Sequence, residues 1–202
     1  MALPASLTPS PVDRLWPATR GGQKLVRALV LAVLGSLLLW ASAKVQVPFY
    51  PVPMTMQTAV VLLLGVAYGP GLAVATILLY LAEGAMGLPV FAGTPERGIG
   101  LPYMLGPTGG YMVGWLLAAA LAGYVAQRSH HWLAIGLALL GGTVAIYLLG
   151  AAWLASFVGV EKAIAVGVLP FLLGDAVKLL LVTALAHAGL AHGSGEPTGG
   201  AA

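Results

Sequence analysis

The sequence contains no cysteine, and only 7% of its 202 residues are Asp, Glu, Lys or Arg. The absence of cysteine excludes disulfides, thiolate metal sites and cysteine nucleophiles. Charged residues make up about a quarter of an ordinary soluble domain. A chain with so little charge, in which 59% of the residues are hydrophobic, is therefore expected to be an integral membrane protein.

Several functional classes are excluded by what the chain lacks. The net charge of +3 comes from basic residues near the N-terminus and not from a basic stripe, so nucleic acid is not an expected partner. There is no GxxxxGK[ST] loop and too little charge for an ATPase domain, so any ATP must be used by other proteins. His130 and His131 are adjacent, and adjacent side chains diverge on a helix, so we expect neither a metal site nor a cofactor.

Long apolar runs predict an all-α, polytopic membrane protein. A span needs about 20 apolar residues, so a chain of this length has room for about six helices. Three segments that disfavour helix separate the apolar runs: the Pro-rich residues 44–56, a tight turn at Gly69–Gly71, and the Gly- and Pro-rich residues 87–107. Residues 1–24 are expected to form a frayed cytoplasmic tail, and residues 191–202 a disordered one. The predicted spans cover residues 25–43, 55–68, 72–86, 108–126, 132–157 and 167–190.

Basic residues predict the orientation of these spans. One side of the six-span topology carries Arg14, Arg20, Lys24, Arg27 and Arg128, and the other carries Lys44, Arg97 and Lys162. The side with more basic residues is normally cytoplasmic. We therefore expect both termini in the cytoplasm, the connections after the first, third and fifth spans outside, and a multi-pass protein of the cytoplasmic membrane.

Asp175 and Lys178 stand out because they lie inside an apolar segment, residues 169–185. A charge in the membrane interior costs roughly 2.5 to 3.5 kcal/mol on insertion scales. Residues three apart share a helix face, so the pair is either a structural ion pair or part of a ligand site. Asp175 is about 12 Å into the sixth span, in the outer half of the membrane. The outer connections add further polar side chains on the same side: Tyr50, Gln57, Thr94 and Arg97. This clustering favours an outward-facing ligand pocket.

Four motifs, VPFYPVPMTMQ, GLPVFAG, GPTGGY and LPFLLGDAVK, occur in order along the chain. Together they resemble the BioY family, the biotin-specific S-components of energy-coupling factor (ECF) transporters, and the match covers about residues 25–188. The resemblance implies a six-helix protein that captures biotin at its outer face. It also implies a membrane coupling protein and two cytoplasmic ATPases as partners, with the AxxxA strip of the first span, Ala28 and Ala32, contacting the coupling protein.

Given biotin as the implied ligand, its chemical groups suit these residues. Its carboxylate needs a cation, for which Lys178 is the first candidate and Arg97 the second. Asp175 can accept a hydrogen bond from a ureido N–H, and Gln57 or a loop N–H can meet the ureido carbonyl. Thr94 stands near the position where family members often carry an amide, so an amide contact is not expected there. The aromatic candidates for packing on the fused ring are Tyr50, Phe91, Tyr80 and Tyr111.

Two other classes stay open on the sequence alone. A proton-coupled secondary carrier of biotin or a similar small carboxylate would use Asp175 as its titrating group. An intramembrane hydrolase would need a second carboxylate facing Asp175, for which only Glu83 is available, or a Ser–His pair at one depth. His187 lies near the cytoplasmic end of the last span. We therefore expect a transport protein and not an enzyme.

Overall fold

A computed structural model of the chain describes residues 9–129 and 131–192. His130 and all but the first two residues of the predicted tail at 191–202 lie outside these ranges. A 3-10 turn, Leu169–Phe171, precedes the last helix. The described elements are α1 (Pro11–Leu15), α2 (Gly21–Lys44), β1 (Gln46–Val47), β2 (Met54–Thr55), α3 (Gln57–Ala85), α4 (Gly100–Met104), α5 (Gly109–Ala126), α6 (Trp132–Val158), α7 (Val160–Gly167) and α8 (Leu172–His192).

The chain is a multi-pass membrane protein built almost entirely from helices. Within the described ranges, 5 helical stretches are long and apolar enough to cross a membrane. They are α2, α3, α5, α6 and the stretch Val160–Gly189, which contains α7 and most of α8. Length and composition therefore give one candidate span fewer than the six predicted.

The difference in number arises in α3, which is not a straight helix. Gly69 has φ 75° and ψ 170°, a backbone conformation that suits glycine, and Pro70 follows it. Gln57 Nε2 donates to Tyr80 OH at 2.8 Å, although these residues are 23 positions apart. In a straight helix that separation would be about 35 Å. Helix α3 therefore folds back at Gly69 into two antiparallel arms.

Helix α5 packs between α3 and α6, and glycines allow the close approach. A Cβ atom at Gly114 would lie 2.6 Å from the Cα of Ile146 in α6, and one at Gly65 would lie 2.7 Å from the carbonyl oxygen of Ala119. Because these neighbours are backbone atoms, the helices can approach this closely only where no side chain intervenes. The three helices form the packed centre of the bundle.

Residues 9–24 differ from the frayed tail that we predicted for residues 1–24, of which residues 1–8 lie outside the described residues. Helix α2 begins at Gly21, before the predicted start of the first span, and α1 precedes it with Ser10 as its N-cap. Arg27 Nη2 lies 2.6 Å from Asp13 Oδ1, and Nη1 donates to the carbonyl of Trp16 at 2.8 Å. The prediction treated Arg27 only as a signal for orientation, whereas its guanidinium also fastens α1 to α2.

Short elements also occupy the connections between the long helices. Strands β1 and β2 pair antiparallel, so residues 44–56 form a small hairpin. Residues 87–107 contain α4, and α7 occupies the segment of Glu161 and Lys162, where a loop was expected. The predicted last span starts at Gly167, whereas α8 starts at Leu172 after the 3-10 turn. Elements this short carry too few residues for a periodic apolar pattern to be read from sequence.

Candidate binding site

Asp175 and Lys178 form a buried ion pair at the start of α8. Lys178 Nζ is 2.6 Å from Asp175 Oδ1, and the side chains of Lys178 and Asp175 are 8% and 9% exposed. The same ammonium donates to the carbonyl of Thr55 at 2.7 Å and to Thr58 Oγ1 at 3.1 Å. An ammonium has three protons, so all three are used within the protein. The pair is thereby held between β2, α3 and α8.

Asp175 has further partners on two other helices. Its Oδ2 accepts a hydrogen bond from Tyr147 OH of α6 at 2.5 Å, and its Oδ1 accepts a longer one from Thr58 Oγ1 of α3 at 3.4 Å. Asp175 also lies in the first turn of α8, where the helix dipole favours a negative charge. These interactions compensate the cost of burying a carboxylate in an apolar bundle.

The ion pair forms part of the wall of a cavity that reaches into the bundle between α3, α5, α6 and α8. Polar atoms enter this wall from Thr55, Gln57, Thr58 and Tyr147, in addition to the pair. An apolar cavity with a few convergent polar groups is the usual composition of a small-molecule site. The apolar part of the wall includes Val52, Met54, Met112, Trp115, Ile146 and Phe171.

Gln57 has an orientation that follows from its hydrogen bonds. Tyr80 OH donates its only proton to the carbonyl of Val90 at 2.8 Å. It must therefore accept from Gln57, whose Nε2 lies 2.8 Å away. Gln57 Oε1 consequently points to the other side, 3.4 Å from Thr55 Oγ1. The amide is assigned by this network, and it presents an oxygen acceptor at the cavity wall.

Of the site residues predicted from sequence, Gln57, Tyr111, Asp175 and Lys178 come together around this cavity. Tyr111 is 7% exposed, and its hydroxyl donates to the carbonyl of Gly167 at 2.8 Å. Its contribution to the cavity is therefore its ring surface. The three polar residues come from helices far apart in sequence, and the fold brings them to one place.

Three other predicted residues lie behind the cavity wall and do not line it. Phe91 stacks on Tyr103 with ring centroids 4.9 Å apart, and it meets the edge of Tyr80 at 5.5 Å. Thr94 Oγ1 donates to the carbonyl of Phe91 at 2.7 Å. Tyr80, Phe91 and Thr94 thus support the connection that covers one side of the cavity.

Tyr50 and Arg97 lie outside this cavity, at a second one nearer the surface. Tyr50 is 85% exposed. Arg97 donates through Nη2 to the carbonyl of Phe49 at 3.1 Å and through Nη1 to that of Pro51 at 3.4 Å. The guanidinium therefore links the two connections that precede α3 and α4.

Sequence reasoning missed Thr58, Tyr147 and Trp115 in the cavity wall. Tyr147 is the single tyrosine of α6, and a hydroxyl in a membrane-embedded helix needs a partner inside the protein. That requirement could have marked it as a site candidate. Nothing comparable marks Trp115, since tryptophan is common both in cores and at membrane interfaces.

Other predicted contacts are placed away from the cavity. Glu83 of α3 hydrogen-bonds with Ser36 of α2, so it does not form a carboxylate pair with Asp175. His187 lies about 18 Å further along α8 than Asp175.

Of the predicted docking strip on α2, Ala32 is 9% exposed, and Ala28 is half-buried. In residues 9–129 and 131–192, no three His, Asp or Glu side chains are grouped so that they could hold a metal ion.

The geometry defines a class of protein: a polytopic membrane protein with a cavity whose wall contains a buried ion pair, suited to a small polar ligand. A sequence model described as the BioY family matches residues 13–193 of the chain. The chain belongs to the BioY family.

Several proteins similar in sequence to this chain are named biotin transporters. A probable biotin transporter BioY from Pyrococcus horikoshii is 41% identical over 145 residues, which cover 72% of this chain and 85% of the relative. The biotin transporter BioY of Thermotoga maritima is 41% identical over 169 residues, covering 80% and 94%. A crystal structure of the S-component for biotin from an ECF-type ABC transporter matches with a TM-score of 0.73 and 25% identity, covering 85% of this chain and 94% of that one. The family is one of transport proteins, and the chain is not an enzyme.

Proposed function

We propose that the chain is a biotin-binding subunit that captures the vitamin for uptake across the cytoplasmic membrane. The observation that carries this proposal is the buried pair of Asp175 and Lys178 in the wall of an apolar cavity. Charges in such surroundings are costly and usually have a function. Membership of the BioY family, whose relatives are named biotin transporters, supplies the identity of the ligand.

Each polar group of biotin meets a complementary group in the proposed complex. The carboxylate of biotin binds Lys178, whose ammonium exchanges one of its protein acceptors for the ligand. The ureido N–H groups donate to Asp175 and to Gln57 Oε1. The sequence had suggested that Gln57 donates to the ureido carbonyl. Because Gln57 Nε2 donates to Tyr80 OH, its Oε1 is instead the atom that we propose for the ligand, as an acceptor. Tyr111 packs on the fused ring.

The remaining predicted site residues act, in this proposal, by holding the connections over the ligand. Phe91 and Thr94 belong to one connection, and Tyr80 hydrogen-bonds to it through Val90. Arg97 joins this connection to the preceding one, next to Tyr50. These residues position the walls of the site and do not touch the vitamin directly.

For the orientation, we propose six membrane crossings with both termini in the cytoplasm. The two antiparallel arms of α3 support counting this helix as two crossings. An even number of crossings places both termini on one side. The excess of basic residues in Arg14, Arg20, Lys24 and Arg27 supports the cytoplasm as that side.

For energy, we propose a partner ECF module made of a membrane coupling protein and two cytoplasmic ATPases. The chain has no nucleotide-binding motif, and the similar solved structure is an S-component of an ECF-type transporter. The coupling protein would dock near Ala28 and Ala32 at the cytoplasmic half of α2. Helix α3 already covers part of this strip, so docking would use the half-buried Ala28 and its exposed neighbours.

Binding of labelled biotin to the purified chain in nanodiscs tests the proposed ligand. We expect one saturable site, from which dethiobiotin competes because it keeps both the ureido group and the carboxylate. Lipoate keeps only the carboxylate and should compete poorly. The absence of saturable binding would contradict the proposal, as would equal competition by lipoate and dethiobiotin.

Uptake into vesicles distinguishes the energised subunit from a stand-alone, proton-coupled carrier. We expect accumulation of biotin to require the coupling protein, the two ATPases and ATP. Accumulation driven by a pH gradient in vesicles that hold this chain alone would support the carrier instead, with Asp175 as its titrating group.

A further inference from the structure

Trp115 carries a hydrogen-bond donor without an acceptor. Its Nε1 atom and Arg27 Nε are the two buried side-chain nitrogen or oxygen atoms that have no hydrogen-bond partner in the described part of the chain. The Trp115 side chain belongs to the cavity wall, and the residue is 6% exposed. A buried donor left unpaired is unfavourable, and native proteins rarely keep one without a reason.

Each of the other side-chain donor groups of the wall already makes at least one hydrogen bond within the protein. Thr55 bonds to Gln57, Gln57 to Tyr80, Thr58 to Asp175, and Thr108 to Tyr103. Lys178 uses its three protons on Asp175, Thr55 and Thr58. The hydroxyls of the lining tyrosines are likewise engaged: Tyr103 donates to Ala92, Tyr111 to Gly167 and Tyr147 to Asp175. Burial also raises the pKa of Tyr103, which keeps its hydroxyl protonated and donating. Trp115 is therefore the lining side chain whose donor group makes no hydrogen bond within the protein, and it remains available to an acceptor of the ligand.

We infer that the indole N–H of Trp115 donates a hydrogen bond to the bound ligand, specifically to the ureido carbonyl oxygen of biotin. The inference rests on the proposed function. The ligand carboxylate goes to the cation, and Asp175 and Gln57 Oε1 are acceptors that take the ureido N–H groups. The ureido oxygen is then the strongest acceptor left on biotin, because a thioether sulfur is a weak one. Trp115 thus selects for a cyclic urea over rings without a carbonyl.

The indole resonances of the wild-type chain test this contact directly. The chain has five tryptophans, so a 15N–1H spectrum has few indole signals, and Trp115→Phe identifies the relevant one. We expect biotin to move the Trp115 Nε1–H proton downfield, as hydrogen-bond formation does. Trp153 is the matched control, because its Nε1 already donates to the carbonyl of Gly106 at 2.9 Å. A Trp115 signal that stays at its free position in the biotin-saturated chain overturns the inference.

An analogue with sulfur in place of the ureido oxygen adds a second test. We expect Trp115→Phe to weaken biotin binding about fivefold, the effect of one neutral hydrogen bond. The affinity for the thio analogue should change little, since its sulfur accepts weakly in either protein. Equal weakening of both ligands overturns the inference and indicates lost packing only. If wild-type protein fails to bind biotin at all, the proposed function itself fails, a result distinct from binding without an indole shift.

Discussion

Asp175 and Lys178 depend on each other, because each is the main compensation for the charge of the other in an apolar environment. Their direct contact is local, because they are three positions apart on one helix, but their other partners come from α3, α6 and β2. The pair therefore ties four parts of the chain together. Removing one partner leaves an uncompensated buried charge, which is a larger loss than removing both.

Single and double substitutions at the pair measure this dependence. We expect Lys178→Met alone to destabilise the fold by about 3 to 5 kcal/mol, and Asp175→Asn by a similar amount. The double variant should lose clearly less than the sum of the two. Thermal unfolding of the purified chain in one detergent measures all three, with Lys162→Met of α7 as the control. Strictly additive losses would contradict the coupling.

At the residue scale, the sequence was sufficient for the pair but not for its surroundings. Asp175 and Lys178 could be selected because charges are rare in apolar spans and their spacing places them on one face. The bond of Tyr147 to Asp175 crosses 28 positions, and that of Thr58 to Lys178 crosses 120. No local pattern predicts such contacts. Thr94 directly follows the GLPVFAG motif, yet nothing in the motif shows that its hydroxyl donates to the Phe91 carbonyl.

At the scale of elements, the close contacts of α5 determine whether the bundle can form. The Cβ atom of an alanine at position 114 would lie 2.6 Å from the Cα of Ile146, a backbone atom that cannot rotate away. We expect Gly114→Ala to lower stability by about 1 to 3 kcal/mol, since α5 and α6 must separate. The midpoint of thermal unfolding measures this.

Gly71→Ala is the matched control for this prediction, because no atom lies within 4 Å of a Cβ at that position. Alanine is the better helix former, so Gly71→Ala should not destabilise the chain. Equal midpoints for Gly114→Ala and the wild type would show that α5 and α6 are not packed as closely as described.

Lys44, at the end of α2, holds the connection that follows α3. Its Nζ lies 3.0 Å from the carbonyl oxygen of Pro89, 3.3 Å from that of Phe91 and 3.4 Å from that of Thr94. We expect Lys44→Met to speed amide hydrogen exchange in residues 88–99, because these carbonyls lose their shared donor. Lys162→Met is the control, and unchanged exchange in Lys44→Met would exclude this role.

The long helices could be predicted from their apolar runs, whereas the short elements could not. The turn in α3 was also predictable, because GPG interrupts the run and only glycine readily adopts the φ of 75° found at Gly69. Helices α1, α4 and α7 have five to eight residues each. Their positions depend on tertiary contacts, such as the bond between Asp13 and Arg27 that holds α1.

For the whole molecule, the proposed topology places the cavity on the outer side of the membrane. The absence of cysteine makes a direct test simple, since single cysteines can be introduced into the chain as it stands. We expect Glu161→Cys to react with a membrane-impermeant maleimide in intact cells. Gln23→Cys and Ser129→Cys should react only after permeabilisation. Labelling of Ser129→Cys in intact cells would contradict six crossings with cytoplasmic termini.

The central claim is that biotin binds at the buried pair, and the affinity of Lys178→Met for labelled biotin tests it most directly. The control is Lys162→Met, which removes the same charge from the exposed surface of α7. We predict at least about tenfold weaker binding for Lys178→Met, equivalent to about 1.4 kcal/mol, and wild-type affinity for Lys162→Met. Wild-type affinity in folded Lys178→Met protein would contradict the account.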